Sequence, residues 1–525
     1  MRNLSLKLLT YTLIAAFCVS VLCFGYASRY YQMFAIRIYV SQTLIALALI
    51  LFALSKGYFD NNALEKNLSS FLLVSNISVL IGLLQLCKIL PSLNSFSPFT
   101  GTFGNVNELA MMLSFLYPVC LYKCFTTIGE KQNYYILLSV LYVLLTITTQ
   151  CRTAYISQLI TTCIIVFTLY PSIRHKSITV FKKFWPVLII LVAVFIYIIY
   201  KFKEDSANGR LLVWLVSIKM IIDKPLFGFG VNGFAREYMS YQADYFQMHP
   251  DSQFAILADN VVQPFNEFIN ITIAFGIFGL LLFILLLVLL FKHTVSDKSR
   301  LSCVNISVLL TFVVWCMFSY PLSEPFVWII MTCMLFISFG NYCNKLCPKI
   351  YKIVVVISSI WFVFSVVRTV YITEWKRVER LSLMGHTSEM IPQYAKLYDK
   401  LHWNSKFLYN YGAELHYIKD YNNALPIMEE CQTRLNDYDV QVILADTYQN
   451  LGDMSRALIC YTKAWQMIPN RFLPLYKEML LYDNANDTIN AQRIARQLLN
   501  KDIKVSSSYI DNILQDANEI LNDCQ

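Results

Sequence analysis

Long apolar runs separated by short polar gaps fill the chain up to Tyr371. A helix needs about 20 apolar residues to cross a hydrocarbon core. Runs of that kind lie at 8–26, 34–55, 70–90, 107–122, 134–150, 154–171, 184–201, 264–291, 302–320, 326–341 and 352–371. Between the seventh and eighth runs stands a long stretch, 202–263, rich in Trp, Phe and Gly. A connection of that length in an otherwise tight pattern points to function. After Tyr371 charges become frequent, no run is long enough to cross a bilayer, and small residues recur with a period near 34. The pattern predicts an all-α chain. A polytopic transmembrane bundle of about 11 spans, 1–371 with its loop 202–263, precedes a domain of helical repeats, 372–525. The boundary falls in 371–378, YITEWKRV.

A period near 34 is the spacing of tetratricopeptide helix pairs. The clearest unit, 438–471, has Leu444, Ala445, Tyr448, Ala457, Tyr461, Ala464 and Pro469 at the packing positions of that repeat. Gly412, Ala424, Met428 and Cys431 fall in phase before it, and Ala491, Ala495 and Leu498 after it. The small residues let paired helices approach, and stacking buries faces that one pair cannot bury alone. Such an array either offers a groove to an envelope protein or caps the membrane domain.

Orientation follows from basic residues in short loops. Arg2 and Lys7, Lys56 and Lys66, Lys123 and Lys131, Arg174 to Lys183, Lys292 to Arg300, and Lys345 to Lys352 all fall on one side if the eleven spans hold. That side is the cytoplasm, with the N-terminus in it. The 91–106 and 202–263 loops, the 320–325 turn and the whole tail then lie outside. In a cell with two membranes, outside is the periplasm. The basic, apolar N-terminus reads as an uncleaved first helix rather than a signal peptide.

Composition sharpens this picture in three respects. At 57% hydrophobic and 15% charged, the chain belongs with integral membrane proteins. The net charge of +9 does not signal nucleic acid, because many of the basic residues sit in short loops rather than on one surface. The 15 cysteines fall mostly in apolar runs, where they act as small hydrophobes, and no CxxC has a matching second pair. With no GxxxxGK[ST] either, the sequence predicts no metal and no cofactor.

The polar residues crowd the outer ends of the spans. FTGTFGNVNELAMML places Asn105, Asn107 and Glu108 where the fourth span begins, after a turn allowed by Gly101 and Gly104. Asn105 is equally a helix N-cap. TQCRTAYIS places Arg152 between the fifth and sixth spans, as a functional charge or a snorkelling anchor. In GRLLVWLVSIKMIIDKPLFGFG, residues 211–222 suit a helix in the membrane interface. Arg210 would stand at its N-terminal end, where an anion is favoured. The amides around Gly228, Gly230 and Gly233 would make an anion nest, and Arg236 adds a second guanidinium to the loop. QPFNEFINITIAFGIFGL opens the eighth span with Asn266 and Glu267. Glu267 either takes a proton from a sugar hydroxyl or complements the helix dipole. FSYPLSEPF supplies Tyr320, Ser323 and Glu324.

The segments GTFGNVNELA, CRTA, GRLLVWLVSIKMIIDKPLFGFGVNGF, FNEFINITIAFGIFGL and SYPL together resemble the O-antigen ligase and polymerase superfamily, over roughly residues 95–340. The resemblance implies metal-free glycosyl transfer at the outer membrane face. The glycan leaves an undecaprenyl-diphosphate carrier for a lipid, protein or glycan acceptor. Arginines hold the diphosphate, at Arg210 and Arg152, and charge and position add Arg236. Arg210, Asn266 and Glu267 become the catalytic candidates, and Asn105, Asn107 and Glu324 the contacts to glycan or acceptor. One departure matters. Many ligases carry a histidine before the asparagine of the eighth span, and this chain has Phe265, which takes no proton. The base is then Glu267, or the reaction leans on positioning and diphosphate stabilisation. Two other readings stay open: a polysaccharide transporter or flippase, which would be expected to show internal repeats, and a non-catalytic scaffold recruiting partners through its tail.

Overall fold

A computed structural model describes residues 2–22, 32–59, 61–94, 97–174, 177, 194, 200, 201, 203–296, 301–346 and 350–522. Every regular element among them is helical. In chain order these are α1 (Arg2–Leu22), α2 (Gln32–Leu54), α3 (Asn61–Leu86), α4 (Val106–Thr126), α5 (Glu130–Thr149) and α6 (Arg152–Leu169). Then come α7 (Glu204–Asp223), α8 (Gly233–Met248), α9 (Glu267–Ser296), α10 (Ser302–Phe318), α11 (Pro325–Leu346) and α12 (Ile350–Leu381). The tail holds α13 (Thr387–Leu401), α14 (Ser405–Tyr417), α15 (Tyr421–Gln432), α16 (Tyr438–Asn450), α17 (Met454–Met467), α18 (Leu473–Asn484), α19 (Thr488–Leu499) and α20 (Ser508–Asn522).

Among the described residues, 8 helices are long and apolar enough to cross a membrane, and α10 and the first part of α11 are shorter apolar helices. They coincide with the expected runs, except that 184–201 lies mostly outside the described residues. The chain forms two compact units. The first is Met1–Ile199, Phe265–Glu267 and Leu282–Lys376; the second is Tyr200–Pro264, Phe268–Leu281 and Arg377–Gln525.

In the first unit the core sits on α4, every residue of which from Leu109 to Tyr122 is buried. The other long spans bury far less of their length, and that contrast separates a central helix from lipid-facing ones. The segment entering α4 is held by side chains of α3. Gln85 Oε1 accepts the Thr100 and Gly101 amides, both at 2.8 Å, and its Nε2 donates to the Gly101 carbonyl at 3.2 Å. Ser78 Oγ accepts the Thr102 amide at 3.2 Å and the Thr102 hydroxyl at 2.9 Å. Gly101 has φ +62°, and a Cβ there would lie 2.6 Å from Ser78 Oγ, so only glycine fits. Buried backbone polar groups need such partners where water does not reach.

In the second unit the PLFGFG turn and α9 complete each other. Helix α9 breaks at Gly276, with φ 66° and ψ −165°, a conformation open essentially to glycine alone. The break frees carbonyls and an amide that helix geometry would have paired. Phe229 N donates to the Ile273 carbonyl at 2.7 Å, Gly230 N to that of Ala274 at 2.9 Å, and Ile277 N to that of Pro225 at 2.8 Å. The turn thus occupies the break, and a Cβ on Gly276 would lie 2.0 Å from the Leu226 carbonyl oxygen. Helix α7 buries Leu212, Val213, Val216 and Met220, and its other face exposes Leu211, Leu215, Ile218 and Ile222. Apolar residues on both faces suit a helix lying in a membrane interface.

The rest of this unit is a series of helix pairs opening at Ser405, Tyr438 and Leu473. Asn404, Asp420, Asp437, Asp453 and Asp487 start α14, α15, α16, α17 and α19, each accepting a first-turn amide. Ala424, Ala445, Ala457, Ala464, Ala491 and Ala495 are fully buried between the helices. The 202–263 segment, expected to belong with the membrane bundle, packs on these pairs. Gln242 Nε2 donates to the Met467 carbonyl at 2.7 Å. Asn470 Nδ2 donates to the carbonyls of Ala255, Ile256 and Ala258, at 3.1, 3.2 and 2.7 Å. Phe234, Tyr238, Phe246 and Phe254 share one apolar core with Met467 and Ile468. Helix α12 shows no break at 371–378 and runs on to Leu381.

Two outcomes test these joints. Gly276→Ala forces a side chain into the Leu226 backbone and a glycine-only conformation, at a cost of about 3 kcal/mol. The thermal midpoint of the purified protein should fall and cleavage within 224–232 should accelerate; an unchanged midpoint would show that the turn is not seated in the break. Asn470→Ala should cost about 2 kcal/mol and open 249–262 to limited proteolysis, read by mass spectrometry of the fragments.

Candidate active site

Three segments meet at one end of the first unit: the entry to α4, the 265–267 segment that opens α9, and the 319–324 turn between α10 and α11. Asn105 caps α4, its side chain accepting the Asn107 amide at 2.9 Å, and Asn107 itself is exposed. Glu108, one turn further on, points inward. Arg37, from the first turns of α2, bridges it to the 319–324 turn, with Nη2 at 2.8 Å from Glu108 Oε2 and 3.3 Å from Glu324 Oε2. The guanidinium also lies 5.5 Å from the centre of the Phe103 ring. Both Arg37 and Glu324 are buried.

This is a charged triad in an apolar wall. The pull of one guanidinium on two carboxylates repays their desolvation only while all three remain. Burial pushes the Glu324 carboxyl up to about 8, the charge of Glu108 adds to that rise, and Arg37 opposes it. Glu324 therefore holds its proton more tightly than an exposed carboxyl does.

Glu267 lies on the same turn and is 2% exposed. Its Oε1 accepts the Leu322 amide at 2.9 Å. That bond fixes the carboxylate by a backbone group, which is a different role from complementing the dipole of α9. Asn266 Nδ2 donates to the Met317 carbonyl at 3.0 Å, at the end of α10. Phe265, at φ 53°, sets its ring 5.9 Å from that of Tyr320. The short 319–324 turn thus gathers Glu267, Glu324 and, through Arg37, Glu108. Arg152 is the first residue of α6 in the same unit and is half-buried. Helix α6 in turn meets α10, with Thr161 and Thr311 hydroxyls 3.5 Å apart.

Arg210 and Arg236 belong to the second unit. Two expectations about them change. Helix α7 starts at Glu204, so Arg210 stands well inside it rather than at its N-terminal end. EDSANG continues the helix, and the amides near Arg210 are engaged in it, so the anion site at a helix terminus does not form there. The amides of the glycine turn do not form an anion nest either. Phe229 N and Gly230 N go to the broken helix, and Gly233 N to the Gly230 carbonyl at 3.0 Å. Arg236 closes the same turn, donating through Nη2 to the Phe229 carbonyl at 2.7 Å and pairing through Nε with Glu237 at 2.8 Å. Trp214 Nε1 donates to the Pro264 carbonyl at 2.9 Å, tying α7 to the residue just before the Phe265–Asn266–Glu267 segment.

Arg37 is the residue that sequence reading passed over. It sits inside an apolar run, and a charge in that position is a functional or structural marker by default; that signal was available. Its partners, 71 and 287 residues away, were not.

The family model described as O-antigen ligase matches residues 137–284, which takes in Arg152, Arg210, Arg236, Asn266 and Glu267. No curated protein matches the chain.

Removing Arg37 leaves a buried and a half-buried carboxylate without their shared cation. Arg37→Met should destabilise the first unit by about 3–5 kcal/mol, whereas Glu324→Gln, which mimics the protonated carboxyl, should shift the midpoint little. Glu324 has a folded value above its unfolded one of 4.5. The folded state therefore binds the extra proton between the two values, and stability should fall as pH rises through that window. Thermal midpoints from pH 5 to 9 should decline in the wild type and decline less in Glu324→Gln.

Proposed function

We propose that this chain, a multi-pass membrane protein of the O-antigen ligase superfamily, transfers a glycan from an undecaprenyl-diphosphate carrier to an acceptor hydroxyl. The match over 137–284 carries the reading, because it spans the arginines and the Asn266–Glu267 pair that such chemistry needs. The orientation read from the basic loops puts the reaction at the periplasmic face of a bacterial inner membrane. The tail, read as tetratricopeptide-like, lies on that side and seats the 202–263 segment.

In the reaction the acceptor oxygen bonds to the anomeric carbon as the bond from that carbon to the diphosphate oxygen breaks. The electron pair leaves with the diphosphate, and the acceptor proton passes to a base. Arg210, with Arg152 and Arg236, is assigned to the diphosphate. Guanidinium stays charged at any working pH and matches phosphate oxygens in a planar fork. Arg236 already holds the Phe229 carbonyl, so its part is first to shape the turn. Glu267 is assigned as the base. Its fixed, buried carboxylate supports this, and it stands two residues from Phe265, which cannot take a proton. Asn266 positions substrate beside it, and Asn107 and Glu324 are assigned to glycan or acceptor. Asn105 is assigned to shaping the same rim through its cap.

Transfer from a lipid-linked glycan in reconstituted membranes tests this. Arg210→Ala should abolish transfer at unchanged protein level. Glu267→Gln keeps an oxygen for the Leu322 amide and should fold normally while losing at least about a hundredfold in rate. Full activity in Arg210→Ala would end the reading, and full activity in Glu267→Gln would remove Glu267 as base.

A further inference from the structure

Leu322, in the middle of the 319–324 turn, has both of its backbone polar groups held by side chains. Its amide donates to Glu267 Oε1 at 2.9 Å, and its carbonyl accepts from Trp328 Nε1 at 2.6 Å. The local sequence PLSEPFVW explains the second bond. Pro321–Ser323 forms one tight helical turn, in which Ser323 N donates to the Tyr320 carbonyl at 3.0 Å and Glu324 N to that of Pro321 at 3.1 Å. Continued by one residue, this pattern would offer the Leu322 carbonyl the amide of residue 325. Residue 325 is proline and has no N–H to give. The indole of Trp328 supplies the donor instead. On the other side of the same Cα, the Leu322 amide belongs to the first turn, whose amides a helix leaves without internal partners. Glu267 takes it.

The two peptide planes that carry these bonds meet at the Leu322 Cα, so a shift of one is felt by the other. The indole is the firmer of the two anchors. It stands on the first turns of α11, where Phe326, Val327, Ile329 and Ile330 are fully buried. The Phe326 ring meets Phe103 and Phe115 edge-on, at 5.8 and 6.5 Å, which seats this end of α11 on the α4 core. Trp328 therefore refers the position of Leu322 to a packed helix rather than to a loop.

We propose that Trp328 is a positioning residue for glycosyl transfer: its indole N–H fixes the Leu322 peptide, and the Leu322 amide in turn sets where the Glu267 carboxylate stands. The inference rests on the reading of Glu267 as base. The indole itself takes up no proton. A base must come within hydrogen-bond reach of the hydroxyl it serves, and a misplacement of about 1 Å costs up to about a hundredfold in rate. A hold on the Leu322 peptide from a rigid helix meets that demand.

The test compares Trp328→Phe with full-length protein carrying benzothienylalanine at position 328, which keeps the shape of the indole and lacks its N–H. Transfer from a lipid-linked glycan is measured in reconstituted membranes, in the wild-type and the Glu267→Gln backgrounds. Both replacements should lower kcat about tenfold and leave KM for the lipid-linked glycan within about twofold. In Glu267→Gln, where no base remains to be placed, the same replacements should cost less than about twofold further. Hydrogen exchange of the 319–324 peptide, read by mass spectrometry, should quicken in both. Wild-type kcat with benzothienylalanine overturns the proposal, as does an equal loss in the two backgrounds. Unchanged exchange at 319–324 overturns it whatever the activity shows. If Glu267→Gln is inactive while the position 328 replacements transfer normally, the role of Trp328 alone fails. If Glu267→Gln is fully active, the base reading falls and takes the role of Trp328 with it.

Discussion

Backbone polar groups in apolar surroundings must find partners within the protein, and each unpaired one costs several kcal/mol. Helix α9 is the most apolar of the spans among the described residues, yet it breaks at Gly276. The break is stable because Phe229, Gly230 and Pro225 exchange hydrogen bonds with Ile273, Ala274 and Ile277. This exchange accounts for two sequence features at once. Gly276 and Gly228 are small because each backbone approaches the other, the Ile273 carbonyl lying 2.3 Å from a Cβ built on Gly228. The amides that looked like an anion nest are the groups that fill the break. Arg236 then closes the turn from outside through the Phe229 carbonyl.

A second constraint acts in the first unit. At the end of the bundle that carries the candidate site, three charges are joined. Arg37 draws Glu108 and Glu324 together across three helices' ends. Glu267 reaches the same turn through a backbone amide. A turn of six residues, 319–324, is thereby held by side chains from α2, α4 and the start of α9. A carboxylate fixed in this way loses little freedom when a substrate arrives, which is what positioning for proton transfer requires. Glu108 and Glu324 meet a guanidinium, whereas Glu267 is anchored by a backbone amide.

The tail has an intramolecular task. Gln242, Asn470 and the aromatic face of α8 bind the 202–263 segment to α16 and α17. A long segment gains order from these contacts, and conformational entropy is the opposing term. A tail recruited solely for partners would not bury Met467 and Ile468 beneath α8. The face so covered is closed to other proteins.

Much of the fold was legible in the sequence. Hydrophobic runs of span length fixed the helices of the bundle, because length and polarity alone decide what can cross hydrocarbon. Small residues at period 34 marked the helix pairs, because close helix approach depends on the residue at the contact and nothing more distant. Asn105 as a cap followed from its place before an apolar run. Other features were decided only by tertiary structure. Arg37 finding Glu108 and Glu324, Glu267 turning to the Leu322 amide, and the glycine turn giving its amides to a broken helix all join residues far apart in the chain. Arg210 lies inside α7 because EDSANG, unremarkable in isolation, continues a helix whose buried face is anchored by the core around it. Local pattern reports what each segment prefers; which polar group satisfies which other one is set by where the packed chain brings them.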